Sequence, residues 1–144
     1  MSIGSGAVSY AANVLVTKEE MDFFLSLLAS SGKLVPLAEH LIDAGSAIAG
    51  CSPAFTAMFI EALTDGGVAC GLTRATAQEL AAQAVMGSAK YILEACKNPE
   101  ELKDAVCSPG GSTIQGVRTL EECGMRGGVI DAVIDARDAN LKLR

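Results

Sequence analysis

Apolar residues follow two different patterns along this chain, and the change comes near residue 40. Small and β-branched residues run almost unbroken through residues 7–16, which predicts a strand. Thr17 and Glu20 then form a T-x-x-E capping box, in which each side chain satisfies the other's exposed backbone N–H. Met21, Phe24, Leu25 and Leu28 recur at helical spacing until Gly32 offers a stop. Residues 33–37, with Val35 and Pro36, read as a short edge strand. After Leu41 only helix and turn follow. A first helix covers about residues 42–49, and a second is opened by Pro53 and ends among residues 66–71. A third is capped by Thr73 and runs to about Cys96. The fourth starts on Asn98-Pro99-Glu100-Glu101, with a cap, a proline at the first position and acids on the positive end of the dipole. The fifth covers about residues 113–122. The sixth runs over about residues 127–141, where Val129, Ile130, Val133, Ile134 and Leu141 form one apolar stripe.

The predicted fold is mainly α: about six helices preceded by a short strand–helix–strand. Residues 1–39 and 40–144 are the expected parts, since a strand–helix–strand of forty residues cannot cover both faces of its sheet. At 144 residues and 50% hydrophobic content the chain is expected to fold, with about 68–70% of its unfolded surface buried for a domain of this length. Abundant small residues, 15 of them glycine, indicate helices packed closely together.

The 17 acidic and 11 basic side chains leave a net charge of −6, and Lys and Arg are scattered singly, so no nucleic-acid partner is expected. No membrane is expected either: the longest uncharged stretch, residues 44–60, is short of the ~20 residues of a span and contains Pro53. The N-terminus lacks the basic and apolar regions of a signal peptide. Five cysteines (Cys51, Cys70, Cys96, Cys107 and Cys123) without a CxxC spacing, and the single histidine His40, give no metal site. They read as reduced thiols of a cytoplasmic protein.

Two loops could carry chemistry. In residues 107–114, Cys-Ser-Pro-Gly-Gly-Ser-Thr-Ile, two glycines let the backbone turn while Ser108, Ser112 and Thr113 bring hydroxyls to the start of a helix. This is either an ordinary helix–helix turn with a Ser or Thr cap, or an anion site on free N–H groups. Residues 49–55, Ala-Gly-Cys-Ser-Pro-Ala-Phe, are either a kink or a place where small groups leave room for a ligand. Glu61 and Asp65 read as a solvated helix face, Lys103 and Asp104 as exposed polar residues, and His40 as a surface or capping residue. Gly4-Ser5-Gly6-Ala7-Val8-Ser9 is not a dinucleotide fingerprint, because a strand follows it where a helix is required.

The run from Val106 to Glu121, Val-Cys-Ser-Pro-Gly-Gly-Ser-Thr-Ile-Gln-Gly-Val-Arg-Thr-Leu-Glu, resembles the signature of pyrroline-5-carboxylate reductases almost position for position. Glu61 to Val68, Leu102-Lys103-Asp104 and the tail from Gly124 also look like that family. The resemblance implies hydride transfer from NADPH or NADH to the imine carbon of pyrroline-5-carboxylate, giving proline. It implies that Ser108, Gly110, Gly111, Ser112 and Thr113 bind the substrate carboxylate, with the Thr113 hydroxyl as catalytic group near the ring nitrogen. The implied partners are a second copy of the chain, as a homodimer or a higher oligomer, and a small cyclic imino acid. The resemblance implies that residues 1–39 are a strand–helix–strand remnant of a Rossmann-type nucleotide-binding domain and residues 40–144 the helical dimerisation domain. The family's Gly-rich fingerprint has no counterpart here, so no cofactor-binding residue is assigned. By itself the chain is expected to bind no dinucleotide and to be inactive. Residues 49–55 depart from the family's usual Ser-Gly-Ser-Gly-Pro-Ala-Tyr at Ala49, Cys51, Ser52 and Phe55. Those changes keep open a non-catalytic oligomerisation module, or an altered substrate. A thiol enzyme using Cys107 is the third reading.

Overall fold

The computed structural model describes residues 4–95 and 98–143, so the expected helix end at Cys96 lies outside the described residues. Two units are distinguished: residues 1–54 with 129–144, and residues 55–128.

In the first unit, strand β1 (Gly6–Tyr10) pairs in parallel with β2 (Gly32–Pro36), in the register Gly6↔Gly32 to Tyr10↔Pro36. Helix α1 (Lys18–Leu28) makes the crossover that a parallel pair requires. Its capping box forms as predicted: Glu20 N–H donates to Thr17 Oγ1 at 3.3 Å, and Thr17 N–H donates to Glu20 Oε2 at 2.9 Å. The strand expected over residues 7–16 stops at Tyr10. Beyond it Asn13 Oδ1 accepts from the Leu15 N–H at 2.9 Å, so a side chain takes a bond that a neighbouring strand would otherwise take. Phe24 of α1 meets Tyr10 with ring centroids 5.9 Å apart.

Gly32 is where the two strands come nearest. Its φ is +132°, and a methyl group there would lie 2.0 Å from the Gly6 carbonyl oxygen. Helix α2 (Ile42–Ser46) lies against the pair through Gly45, where a methyl group would fall 2.5 Å from Leu37 Cδ1.

The irregular stretch expected over residues 49–55 is helical instead. A π turn (Ala47–Cys51) leads straight into helix α3 (Ser52–Ala69). Pro53 has no N–H for the carbonyl four residues back, which opens the helical ladder, and the Ser52 hydroxyl donates to the Ile48 carbonyl. The wider turn absorbs the proline without breaking the helix.

In the second unit a short seam between α3 and the next helix closes at Gly67, where a methyl group would lie 2.9 Å from Ala77 Cβ. Helix α3 ends in a Schellman motif: Leu72 N–H reaches Gly67 O at 3.0 Å and Gly71 N–H reaches Val68 O at 2.9 Å, with Gly71 at φ +98°. Helix α4 (Arg74–Ala95) begins where predicted, with Thr73 Oγ1 accepting from Thr76 N–H. Thr64, Ala77 and Ala81 are the buried residues of the seam, and the Thr64 hydroxyl is satisfied by Ile60 O at 2.8 Å. Helices α5 (Pro99–Val106), α6 (Ser112–Glu122) and α7 (Met125–Lys142) follow, so six α-helices succeed β2, as expected.

The expected burial is not reached within one protomer. Among the described residues only Ala47, Thr64, Ala77 and Ala81 are buried, and no large side chain is fully enclosed. Phe23, Ile48, Met58, Leu80, Leu93 and Ile130 stand more than half exposed. Small residues bring helices close but carry little apolar area themselves.

Candidate functional site

The stretch joining α5 to α6 owes its shape to three residues of its own. Cys107 closes α5, its N–H donating to Asp104 O at 3.2 Å. Ser108 to Gly111 then form a tight turn in which the Gly111 N–H donates to Ser108 O at 3.0 Å. Pro109 at the second position and Gly110, with φ +68°, at the third are the signature of a type II turn. Gly111, at φ −72° and ψ 172°, is the N-cap of α6.

The expected Ser or Thr cap does not form. Gly111 takes the capping position and has no side chain to offer, and no side chain caps the helix. The first N–H groups of α6 therefore keep the free donor character that the helix dipole turns toward an anion. Ser112 and Thr113 occupy the first two helical positions and are exposed. Among the described residues no group hydrogen-bonds the hydroxyls of Ser108, Ser112 or Thr113. The turn thus brings together all five residues the sequence singled out: Ser108, Gly110, Gly111, Ser112 and Thr113. Ala49, Cys51 and Ser52 fall in the other unit.

The charged residues nearby are already paired. Lys103 contacts the Asp104 carboxylate, whose hydrogen bond holds the ammonium pKa above its usual range. Arg126 Nε lies 2.6 Å from Glu121 Oε1. Lys103, Glu121 and Arg126, with Pro99, Val117 and Leu120, line a groove of about 480 Å³ that includes none of the turn residues. Glu61 and Asp65 lie exposed on α3, and Asp65 pairs with Arg74 at 2.8 Å. His40 sits exposed in a 3₁₀ turn (Glu39–Leu41). Cys51, Cys70, Cys107 and Cys123 are free thiols, and among the described residues no cluster of His, Cys, Asp and Glu could hold a metal ion. Sequence reasoning missed the π turn at Ala47–Cys51, a feature common at functional sites. Its only signal was an apolar helical pattern continuing on both sides of Ser52-Pro53.

Known proteins resemble this chain throughout its length. The family model for pyrroline-5-carboxylate reductase dimerisation matches residues 39–143. The pyrroline-5-carboxylate reductase of Escherichia coli (strain K12) is 45% identical over 141 residues, which make up 98% of this chain and 52% of that protein. The pyrroline-5-carboxylate reductase of Synechocystis is 43% identical over 132 residues, 92% of this chain and 49% of that protein. Among solved structures, a pyrroline-5-carboxylate reductase from Coxiella burnetii superposes with a TM-score of 0.93 at 31% identity, covering 99% of this chain and 53% of that one. The Plasmodium falciparum pyrroline carboxylate reductase, solved with NADP bound, gives 0.87 at 32% identity, covering 95% and 52%. The chain spans about half the length of the curated relatives it matches. With more than two thirds of its residues inside the dimerisation model and its fold shared with solved reductases, this chain belongs to the pyrroline-5-carboxylate reductase family.

Proposed function

We propose that this chain supplies the dimerisation and carboxylate-binding half of an oxidoreductase that reduces 1-pyrroline-5-carboxylate to proline with NADPH or NADH. The observation that carries the reading is the Ser108–Gly111 turn, which delivers the uncapped N-terminus of α6 beside three free hydroxyls. That arrangement suits a small carboxylate: N–H groups donate to its oxygens and the dipole adds about 0.3–1 kcal/mol. In this reading Ser108, Gly110, Gly111, Ser112 and Thr113 build the carboxylate seat. The Thr113 hydroxyl orients the imine nitrogen and helps it take up a proton.

In this reading no dinucleotide seat is assigned to the described residues. Gly4, Ser5 and Gly6 lead into β1 rather than into a helix N-terminus, so no pyrophosphate cradle forms there. We therefore assign cofactor binding to the part of the full-length enzyme outside these residues, and residues 1–144 alone are expected to show no turnover.

A second copy of the chain is the partner in this reading. The protomer exposes 10,566 Å², against about 7,000 Å² for a self-contained monomer of this mass by the area–mass scaling. The run Glu39–Ala69, with mean hydropathy 1.3, is long and apolar enough to cross a membrane by length and composition. We assign that surface to protein contact instead, in agreement with a family model defined by dimerisation. The same reading has the enzyme working in a reducing cytoplasm, its cysteines remaining thiols.

The departures at Ala49, Cys51, Ser52 and Phe55 favour a second reading, a non-catalytic oligomerisation module. Calorimetric titration with L-proline separates the two. Binding by the wild-type chain, lost in Thr113→Ala, supports the reductase half. A stable dimer that binds no proline supports the module.

A further inference from the structure

Gly116 sits in the middle of α6, where glycine is a poor helix former. Its φ is not positive, and a methyl group there would have nothing within 4 Å, so neither the backbone nor a neighbour among the described residues asks for glycine. Gly66, Gly87, Gly127 and Gly128 are equally open. Gly116 differs from them in its place. It follows Ser112 by four residues and Thr113 by three, so the three share one face of the helix. Helical side chains lean toward the N-terminus, and a side chain at residue 116 would cover the turn that carries Ser112 and Thr113. Both of those residues are exposed, at the end of the helix whose first N–H groups are uncapped. Val117, the next residue, is turned to the groove against α5.

Resting on the carboxylate-binding reading, we propose that Gly116 is a specificity-determining residue of that seat: its missing side chain leaves open the surface on which the ring of a five-membered cyclic imino acid lies. With the carboxylate on the N–H groups of α6 and the ring nitrogen at the Thr113 hydroxyl, the ring carbons extend along the face that Gly116 leaves bare. A methyl group there reduces the space for the ring without touching any group that holds the carboxylate.

The test titrates the 144-residue chain calorimetrically with L-azetidine-2-carboxylate, L-proline and L-pipecolate, whose rings grow by one methylene at each step. Wild type, Gly116→Ala, Gly116→Leu and Gln115→Leu are compared, with thermal unfolding and sedimentation of each. Gly116→Ala is expected to raise the unfolding temperature, since alanine favours the helix, while weakening pipecolate most, proline less and the azetidine least. Gly116→Leu is expected to weaken proline by about tenfold or more. Gln115→Leu, on another face of α6, is expected to leave all three affinities unchanged. If Thr113→Ala loses proline but Gly116→Leu binds it as wild type does, the proposal is overturned and the carboxylate reading stands. Equal losses for the three rings in the Gly116 variants also overturn it, and a dimer that dissociates with them assigns Gly116 to contact with a second copy. A wild type that binds none of the three overturns both readings together.

Discussion

Two adjacent glycines on α3 should respond in opposite senses to the same substitution. Gly66 is exposed, and a methyl group there would have nothing within 4 Å. Gly67 faces the seam, where the same methyl group would lie 2.9 Å from Ala77 Cβ and 3.4 Å from Leu72 Cδ1. Ala77 is 3% exposed, and its Cβ is fixed to the backbone of α4, so relief requires a shift of one helix against the other. Replacing a helical Gly by Ala gains about 1 kcal/mol wherever the methyl group is accommodated. Overpacking a close contact costs about 1–3 kcal/mol. Gly66→Ala should therefore stabilise by about 1 kcal/mol, while Gly67→Ala should range from near neutral to about 2 kcal/mol destabilising. The gap between them is the packing term alone, or roughly 2–12 °C in Tm at about 2–4 °C per kcal/mol for this size. Urea and thermal unfolding of both variants at one protein concentration, which keeps any self-association equal, measure it. Equal shifts of the same sign would refute the close approach of Gly67 to Ala77.

Other consequences follow from single contacts. Gly32→Ala combines about 1–3 kcal/mol of unfavourable backbone conformation with a 2.0 Å approach to the Gly6 carbonyl oxygen. Gly71→Ala bears only the conformational part, so hydrogen exchange at the β2 amides should collapse in the first variant and hold in the second. Thr17→Ala removes a formed cap and should cost about 1 kcal/mol, visible as faster exchange in the first turn of α1. Hydrogen bonds from Thr17, chiefly its backbone N–H, hold the Glu20 carboxyl below its usual range. The box therefore contributes fully above the ordinary glutamate pKa and is lost as pH falls through the lower folded value. A carbon-detected titration of Glu20 with its midpoint at or above the ordinary value would contradict this. Arg74→Ala breaks an ion pair whose side chains are 61% and 58% exposed, and should change stability by less than about 1 kcal/mol in a cycle with Asp65→Ala.

How much of this was readable beforehand depended on how local the physics was. The capping box at Thr17 and Glu20 and the Thr73 cap depend on neighbours within three residues, and the pattern alone placed them. It placed the end of α3 only among residues 66–71, where Gly71 proves to be the stop. The strand expected to reach Val16 failed at Tyr10 because a strand needs a partner, and the β-branched residues Val14 and Val16 do not supply one. The π turn escaped notice because Gly50 and Pro53 read as breakers, while the Ser52 hydroxyl takes up the Ile48 carbonyl and lets the helix continue. Burial was overestimated for a related reason. Hydrophobic content says how much apolar surface exists, and not whether this chain or another covers it.

The turn at residues 107–114 shows where local reasoning ends and geometry begins. From spacing alone the turn is either a structural one with a Ser or Thr cap or an anion site, and a capped helix would be a reason to discard the anion site. The N-cap proved to be Gly111, which has nothing to cap with. A methyl group there would lie 3.2 Å from the Ser108 carbonyl oxygen and against the rotatable Ser108 hydroxyl. A serine that bonds the helix N–H groups itself would satisfy them internally, whereas one that only crowds the cap leaves them free for a ligand. The uncapped start of α6 is therefore the observation on which the proposed carboxylate site stands or falls.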